Sequence, residues 1–189
     1  MDLPQPTALD LSLPDPLPED VATLFAKCQA KLGLIPNVLV AYAFNPEKLA
    51  AFSQMYNELM LGPSGLSKLE REMIAVVVSA QNRCWYCQVA HGAAVRVLSG
   101  KPELGEALVM NYRVADLSKR ERAILDFAVR MTVESAAIEE RDREALRDAG
   151  LTDGDIWDLA ATAGFFNMSN RMASAVGMIP NPDYHAQGR

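Results

Sequence analysis

Two cysteines and a histidine lie within eight residues, in the stretch NRCWYCQVAHGA at 82–93. Cys84 and Cys87 form a CxxC pair, and His91 follows Cys87 by four positions. On an α-helix the three side chains fall within an arc of about 60°, so they line one face. A thiol that loses its proton to an imidazole becomes a nucleophile, and a second cysteine can trap its oxidised sulfur as a disulfide. The spacing therefore predicts dithiol–disulfide chemistry.

Glu72 is the fourth candidate, because it lies on the apolar side of a helix that precedes the cysteines. The run MIAVVVSA follows it at 73–80 and is apolar on nearly every side, which indicates a buried helix. If helices 67–81 and 84–99 form an antiparallel hairpin that turns at Gln81 and Asn82, Glu72 and His91 are equidistant from the turn. A buried carboxylate needs a partner. We therefore expect Glu72 to fix the His91 tautomer and to stabilise the imidazolium.

The residues alone leave the roles of the two cysteines open. Cys84 comes in the first turn of its helix, where free backbone N–H groups and the helix dipole favour a thiolate. Cys87 lies one turn from His91, close enough for the imidazole to take its proton directly or through a water.

Helices are predicted for almost all of the chain, and no stretch alternates as a strand does. Residues 1–18 are rich in proline and lack helical periodicity, so we expect an extended N-terminal arm that lies on the body or on a neighbouring subunit. Residues 19–189 are expected to form a single all-α domain. The predicted helices are 18–33, 36–45, 46–61, 67–81, 84–99, 102–112, 118–134, 138–150 and 152–177.

A short repeat suggests a duplicated helical hairpin. The stretches SKLEREMI at 67 and SKRERAIL at 118 share S-K-x-E-R, and in each a serine is followed by glutamate at the third position, as in a capping box. Ala123 occupies the position in the second copy that corresponds to Glu72.

Composition limits the class of partner. The net charge is −6 and the basic residues form no stripe, which argues against nucleic acid or an anionic membrane as the main partner. The run at 73–80 is far too short to cross a bilayer, and the acidic start does not have the pattern of a targeting peptide. We expect a soluble, cytoplasmic protein, in which three cysteines do not indicate a disulfide framework.

The pattern Glu72-x11-Cys84-x2-Cys87-x3-His91 resembles the alkylhydroperoxidase D-like branch of the carboxymuconolactone decarboxylase family, and it is more specific than CxxC alone. The stretch LGLIPNVLVAYAFNPEKLAAF is similar to the longer, peroxidase-related members. The resemblance implies an all-α helical bundle of the alkylhydroperoxidase D-like type and a homo-oligomer (dimer, trimer or hexamer). It also implies antioxidant reduction of hydroperoxides without metal or flavin, and regeneration by a dithiol, thioredoxin-type or lipoyl-type donor.

The same resemblance implies roles for the site residues. The position of Cys87 becomes the sulfenic acid, the position of Cys84 resolves it, and Glu72 and His91 match the proton relay. The better-studied members carry a second histidine between the cysteines, where this chain has Tyr86. Tyrosine does not act as a base near neutral pH. Helical geometry places Tyr86 on a side away from the sulfurs, so we interpret it as a packing residue.

Three other interpretations use the same motif. Cys84, Cys87, His91 and Glu72 could form a buried structural cluster or a zinc site, although structural zinc usually draws its ligand pairs from separate loops. A redox-sensing or assembly module would oxidise its CxxC once, without turnover. Decarboxylase or isomerase activity is the third interpretation, but the members with those activities lack the cysteine pair.

One polar stretch interrupts the apolar pattern of the last helix. Asn167 and Arg171, in NMSNR at 167–171, are interpreted as hydrogen-bonding partners of helix ends or of a neighbouring subunit. We do not expect them to be catalytic.

Overall fold

The computed structural model describes residues 5–189, and this part of the chain is helical with no strand. The all-α fold class is thus confirmed; the first four residues of the predicted arm lie outside the described residues. The helices of the described chain are α1 (Glu19–Leu32), α2 (Asn37–Tyr42), α3 (Pro46–Leu61), α4 (Lys68–Gln81), α5 (Trp85–Ser99), α6 (Pro102–Asn111), α7 (Lys119–Glu134), α8 (Glu140–Asp148) and α9 (Asp153–Ala175).

Helix α4 is the centre of the bundle. All six residues from Met73 to Val78 are fully buried, because α5, α6, α7 and α9 surround this stretch. Branched and sulfur-containing side chains on every face of α4 fill the spaces between these neighbours. None of the helices within residues 5–189 is long and apolar enough to span a membrane.

Three helices begin with the capping boxes that their sequences indicate. The side chains of Ser67, Ser118 and Thr152 accept hydrogen bonds from the third residue of α4, α7 and α9, and the acidic side chain at that position bonds back to the cap. Each box satisfies backbone donors that would otherwise lack partners, so the starts of these helices are fixed locally.

The two S-K-x-E-R stretches have the same local structure. Arg71 bonds two carbonyls at the end of α3, at 3.1 and 3.0 Å. Arg122 likewise bonds two carbonyls that follow α6, at 3.0 and 2.9 Å. An ion pair of 2.8 Å between Glu70 and Arg120 joins the two stretches. This ion pair therefore holds the N-termini of α4 and α7 together.

The turn between α4 and α5 comes slightly later than predicted. Helix α4 ends at Gln81, Asn82 caps it, and Arg83 takes the left-handed conformation with φ of 53°. Cys84 is the N-cap of α5 rather than a residue of its first turn. The hairpin is nevertheless antiparallel and tightly packed, and it places the start of α5 beside the end of α4.

Residues 5–18 contain no helix and lie against the end of α9. The Ala8 N–H donates to the Val176 carbonyl at 2.9 Å, and the Pro6 carbonyl accepts from Ile179 at 3.0 Å. Further along, Leu13 and Leu17 pack against the apolar cluster of α1 and α2. This stretch of the chain therefore lies on the body of the same molecule.

Candidate dithiol active site

The structure brings Glu72 and His91 together across the hairpin, as the equal spacing from the turn predicts. The distance from His91 Nδ1 to Glu72 Oε2 is 2.6 Å, and the two side chains are only 12% and 13% exposed. The edge of the Phe166 ring contacts the imidazole, with ring centroids 4.6 Å apart. Because the carboxylate holds Nδ1, Nε2 is the nitrogen that is available to exchange a proton.

Cys84 and Cys87 are free thiols that lie almost entirely out of solvent. They are 1% and 2% exposed, in a cluster with Tyr86, Ala173 and Met178. The Cys84 sulfur caps α5 by accepting a hydrogen bond of 3.4 Å from the Cys87 N–H. Each thiol also shifts the pKa of the other, so the two sulfurs are close neighbours. They are therefore placed to share a proton, and to form a disulfide after oxidation.

The environment separates the acidities of the two thiols. The hydrogen bond from the Cys87 thiol is the largest of several effects that lower the pKa of Cys84 to about 7, despite burial; the Cys87 N–H, the charge of His91 and the Ser174 hydroxyl act in the same direction. Donation to Cys84, together with burial, raises the pKa of Cys87. The reduced pair therefore holds its first negative charge on Cys84 and keeps a proton on Cys87.

This arrangement differs from the expected contact between Cys87 and His91. The groups that shift the pKa of Cys87 most are the Cys84 thiol and burial, followed by Asn170 and Ser79, whereas the charge of His91 lowers the pKa of Cys84. Of the two alternatives that the sequence left open, the electrostatics of the reduced state favour Cys84 as the thiolate. The cause is its position at the start of α5, where it accepts hydrogen bonds.

A network of polar side chains that was not predicted from the sequence lies beside Cys87. Asn170 Nδ2 donates to Ser79 Oγ at 2.9 Å, and both side chains favour the charged form of Cys87. Asn82 Nδ2 at the hairpin turn donates to Asn170 Oδ1 at 2.9 Å and to Asn167 Oδ1 at 3.1 Å. Helix α9 therefore fixes the turn and supplies donors to the sulfur at the same time.

The signal for this network was present in the stretch NMSNR. Asn167 and Arg171 were singled out there, and they do form structural hydrogen bonds to each other at 2.8 Å. Asn170 is the residue of this stretch that lies beside the thiols, and it is 1% exposed. A fully buried amide in an apolar helix needs hydrogen-bond partners, and this requirement could have singled out Asn170 in the sequence.

The expectation that Tyr86 lies away from the sulfurs is wrong. Tyr86 is buried in the same cluster as both cysteines, because α2 and the C-terminal residues close around the start of α5. Its hydroxyl accepts a hydrogen bond of 3.2 Å from the Val38 N–H. Burial raises the pKa of Tyr86 well above its ordinary value, so the phenol stays neutral. It cannot replace the family histidine as a base, but it can donate a hydrogen bond.

The geometry does not produce the ligand set that the zinc interpretation requires. Among residues 5–189, no group of three or more His, Cys, Asp or Glu side chains converges closely enough to hold a metal ion. His91 directs one nitrogen to Glu72, and the four side chains do not point at a common centre.

The acidity of Cys84 can be measured directly. The ultraviolet absorbance of the thiolate in the reduced protein is expected to titrate with a midpoint near pH 7. Above this pH Cys84 is charged; below it Cys84 is a thiol. In Cys87→Ala the midpoint is expected to rise toward about 8.5, the ordinary value for cysteine, because the strongest donor to Cys84 is lost. A Cys28→Ser control should keep the midpoint, and an unchanged midpoint in Cys87→Ala would contradict the shared hydrogen bond.

Comparisons with known proteins place the chain in a family. The carboxymuconolactone decarboxylase family matches residues 46–128, the range that contains all four candidate residues. A solved structure, that of an uncharacterized peroxidase-related protein from Silicibacter sp. TM1040, is 64% identical, with a TM-score of 0.96 over 100% of this chain and 99% of that chain. The chain belongs to the carboxymuconolactone decarboxylase family.

Two further structures show the range of this fold. An uncharacterized peroxidase-related protein from Ralstonia eutropha JMP134, described as an alkylhydroperoxidase AhpD core, is 42% identical and has a TM-score of 0.94, over 100% of this chain and 98% of that chain. The debrominase Bmp8 is 18% identical, with a TM-score of 0.79 over 96% of this chain and 97% of that chain. This likeness shows a shared fold. A search of curated proteins gave no significant match.

Proposed function

We propose that this carboxymuconolactone decarboxylase family member is a thiol-dependent hydroperoxidase and disulfide reductase with an antioxidant role. The observation that carries the proposal is the Glu72–His91 pair, held at 2.6 Å on the same helical hairpin as two buried, neighbouring thiols. The pair can supply protons in both directions during sulfur oxidation and disulfide formation. The 64% and 42% identical relatives, both described as peroxidase-related, support the same class of activity.

In the first step, Cys87 attacks the hydroperoxide. Its proton passes to the neighbouring Cys84 thiolate, and the side chains of Asn170 and Ser79 favour the new charge on Cys87. The Cys87 sulfur then takes the terminal hydroxyl group as the O–O bond breaks, giving a sulfenic acid and an alkoxide. Protonated His91, which Glu72 stabilises, gives its proton to the alkoxide to release an alcohol.

In the second step, Cys84 resolves the sulfenic acid. Neutral His91 takes the proton of Cys84, the Cys84 thiolate attacks the Cys87 sulfur, and the departing hydroxide receives the proton from His91 as water. The sum is two thiols and one hydroperoxide converted to one disulfide, one alcohol and one water. A dithiol, thioredoxin-type or lipoyl-type donor then attacks the disulfide at Cys84. The donor leaves as a disulfide, and Cys84 and Cys87 return to the thiol form. No metal or flavin takes part in these steps.

A homo-oligomer and a cytoplasmic location belong to the same proposal. Trp157, Met168 and Met172 are exposed on one side of α9, within an arc of about 60°, and an exposed apolar face of this kind fits a contact between subunits in a dimer, trimer or hexamer. A reducing compartment returns Cys84 and Cys87 to the free thiols with which the cycle starts. Light scattering on the reduced and oxidised protein would measure the number of subunits.

Mass spectrometry of trapped thiols after one equivalent of hydroperoxide tests the central step. We expect a disulfide between Cys84 and Cys87, and continued consumption of hydroperoxide when dithiothreitol is added. A single stoichiometric oxidation without further consumption would favour the redox-sensing module instead. Absence of any Cys84–Cys87 oxidation would overturn both alternatives and leave decarboxylase or isomerase activity as the one to test.

A further inference from the structure

A cavity of about 200 Å³ lies on the outer side of α5, away from the dithiol. Residues of α5, of α6 and of the end of the chain line it. Val89, Gly92 and Arg96 belong to this lining, and helical geometry puts them on the side of α5 roughly opposite Cys87. The cavity is therefore separate from the proposed active site, and an inference about it goes beyond the proposed hydroperoxidase function.

Arg96 is the buried cation of this cavity, and it is only 7% exposed. Its Nε donates to the Gln187 carbonyl at 2.9 Å, and its Nη2 donates to the Tyr184 carbonyl at 2.7 Å. Both acceptors are neutral, and among residues 5–189 no carboxylate forms an ion pair with this guanidinium. The charge of Arg96 is thus held out of bulk water without a counter-ion, which is costly for a folded protein.

The Nη1 nitrogen of Arg96 borders the cavity beside Gly92. In the part of the chain that the structure describes, no protein atom accepts a hydrogen bond from Nη1, yet this nitrogen is not sealed from the solvent. A Cβ atom on Gly92 would lie 3.6 Å from Nη1, so the missing side chain leaves the approach to this nitrogen open. The free N–H groups of a guanidinium are strong donors to a carboxylate.

The other charged groups of the lining leave the cavity positive. Arg189 and Glu106 form an ion pair of 3.0 Å, so their charges cancel. His185 also lines the cavity and adds positive charge when it is protonated. Burial and the nearby charge of Arg189 lower the pKa of Arg96, whereas Glu106 raises it. A bound anion would offset the cost of burying the guanidinium charge.

The rest of the lining is mainly apolar. Val89 and Val109 form part of the wall, and Trp85 and Met110, which are 58% and 82% exposed, lie at the mouth. A volume of about 200 Å³ corresponds to about seven water-sized groups, because each water occupies about 30 Å³ in the liquid. The size and lining of the cavity therefore fit a small molecule with an apolar chain and one negative end.

We infer that this cavity binds a small carboxylic acid with an apolar chain, and that the carboxylate accepts hydrogen bonds from Arg96 Nη1. The chain of the ligand lies against Val89 and Val109, and Trp85 covers its far end at the mouth. The charge of Arg96 selects the carboxylate, and the apolar wall selects the chain.

Hexanoate tests this site in the reduced protein without any hydroperoxide, so the result is independent of the proposed function. Trp85 reports binding in a Trp157→Phe background, because the chain has only two tryptophans. We expect a saturable change in fluorescence with hexanoate. Hexanamide has the same shape without the charge, and acetate keeps the charge without most of the chain; each is expected to bind at least roughly tenfold more weakly. Absence of saturation with hexanoate, or equal affinity for hexanoate and either of the other two ligands, would overturn the site.

Two variants locate the carboxylate. Arg96→Met is expected to weaken hexanoate binding roughly ten- to hundredfold, because the charged hydrogen bonds are lost. Arg122→Met is the matched control and should keep the affinity, since Arg122 also bonds two carbonyls but lies at the start of α7.

Gly92→Ala tests the same contact without removing a charge or a hydrogen bond. The added methyl group blocks the approach to Nη1, so we expect binding to weaken at least roughly fivefold. Because alanine favours a helix more than glycine does, this loss would not reflect a failure to fold. Unchanged affinity in either Arg96→Met or Gly92→Ala would overturn the site.

Discussion

Cys87→Ser is expected to abolish the hydroperoxide-dependent oxidation of dithiothreitol, with a fall in rate of about a thousandfold or more. The serine hydroxyl cannot form a sulfenic acid or a disulfide, so both steps of the cycle are lost. The measurement is the consumption of hydroperoxide over many equivalents at fixed dithiothreitol. Turnover at the rate of the unmodified protein would reject the cysteine mechanism.

Two companion variants separate the roles of the sulfurs. Cys84→Ser is expected to oxidise once, more slowly because the Cys84 thiolate no longer takes the Cys87 proton, and to leave a sulfenic acid on Cys87, which a dimedone-type reagent would trap. Cys28→Ser is the control, because Cys28 lies on α1, outside the dithiol cluster, and should keep full turnover. A sulfenic acid that instead accumulates on Cys84 in Cys87→Ser would reverse the proposed order of the two cysteines.

Glu72→Gln has the second-largest expected effect. The amide keeps the size of the side chain but cannot stabilise the imidazolium of His91, so proton transfer to the leaving alkoxide slows. We expect the turnover rate to fall roughly a hundred- to ten-thousandfold, the usual contribution of a general acid–base group.

Glu70→Gln is a matched control on the same helix. Glu70 also pairs with a cation, Arg120 at 2.8 Å, but it lies in the capping box at the start of α4. We expect this variant to lower the free energy of unfolding by about 1–3 kcal/mol and to leave turnover unchanged. If both variants lost activity to the same extent, the effect of Glu72 would be structural rather than catalytic. Urea denaturation and turnover assays of the two proteins decide between these outcomes.

The sequence was sufficient to predict the local parts of the fold and site. Serine followed by glutamate at the third position marked the starts of α4 and α7, since capping depends on neighbours in the chain. The contact between Glu72 and His91 followed from helix periodicity and a short turn. Both inferences involve residues separated by one hairpin at most.

Contacts between distant parts of the chain could not be predicted in the same way. Ser79 and Asn170 lie 91 residues apart, and Tyr86 is buried in a cluster with Met178, which lies in a stretch after α9 that has no regular pattern. The burial of Tyr86 depends on these later residues, which helix geometry alone does not include. The same limit applies to the thiols, because the donors that set their acidity come partly from α9.

Asn170 and Ser174 lie on α9, outside the sequence motif of the site. The motif residues lie on α4, on α5 and at the start of α5, whereas Ser174 and Asn170, which lower the pKa of Cys84 and of Cys87 respectively, lie on a helix that enters the site from far along the chain. Substitutions in α9 can therefore alter nucleophilicity and reduction potential while Glu72-x11-Cys84-x2-Cys87-x3-His91 stays intact. Two proteins with the same motif can thus evolve toward different oxidants by changing a helix that contains no part of it.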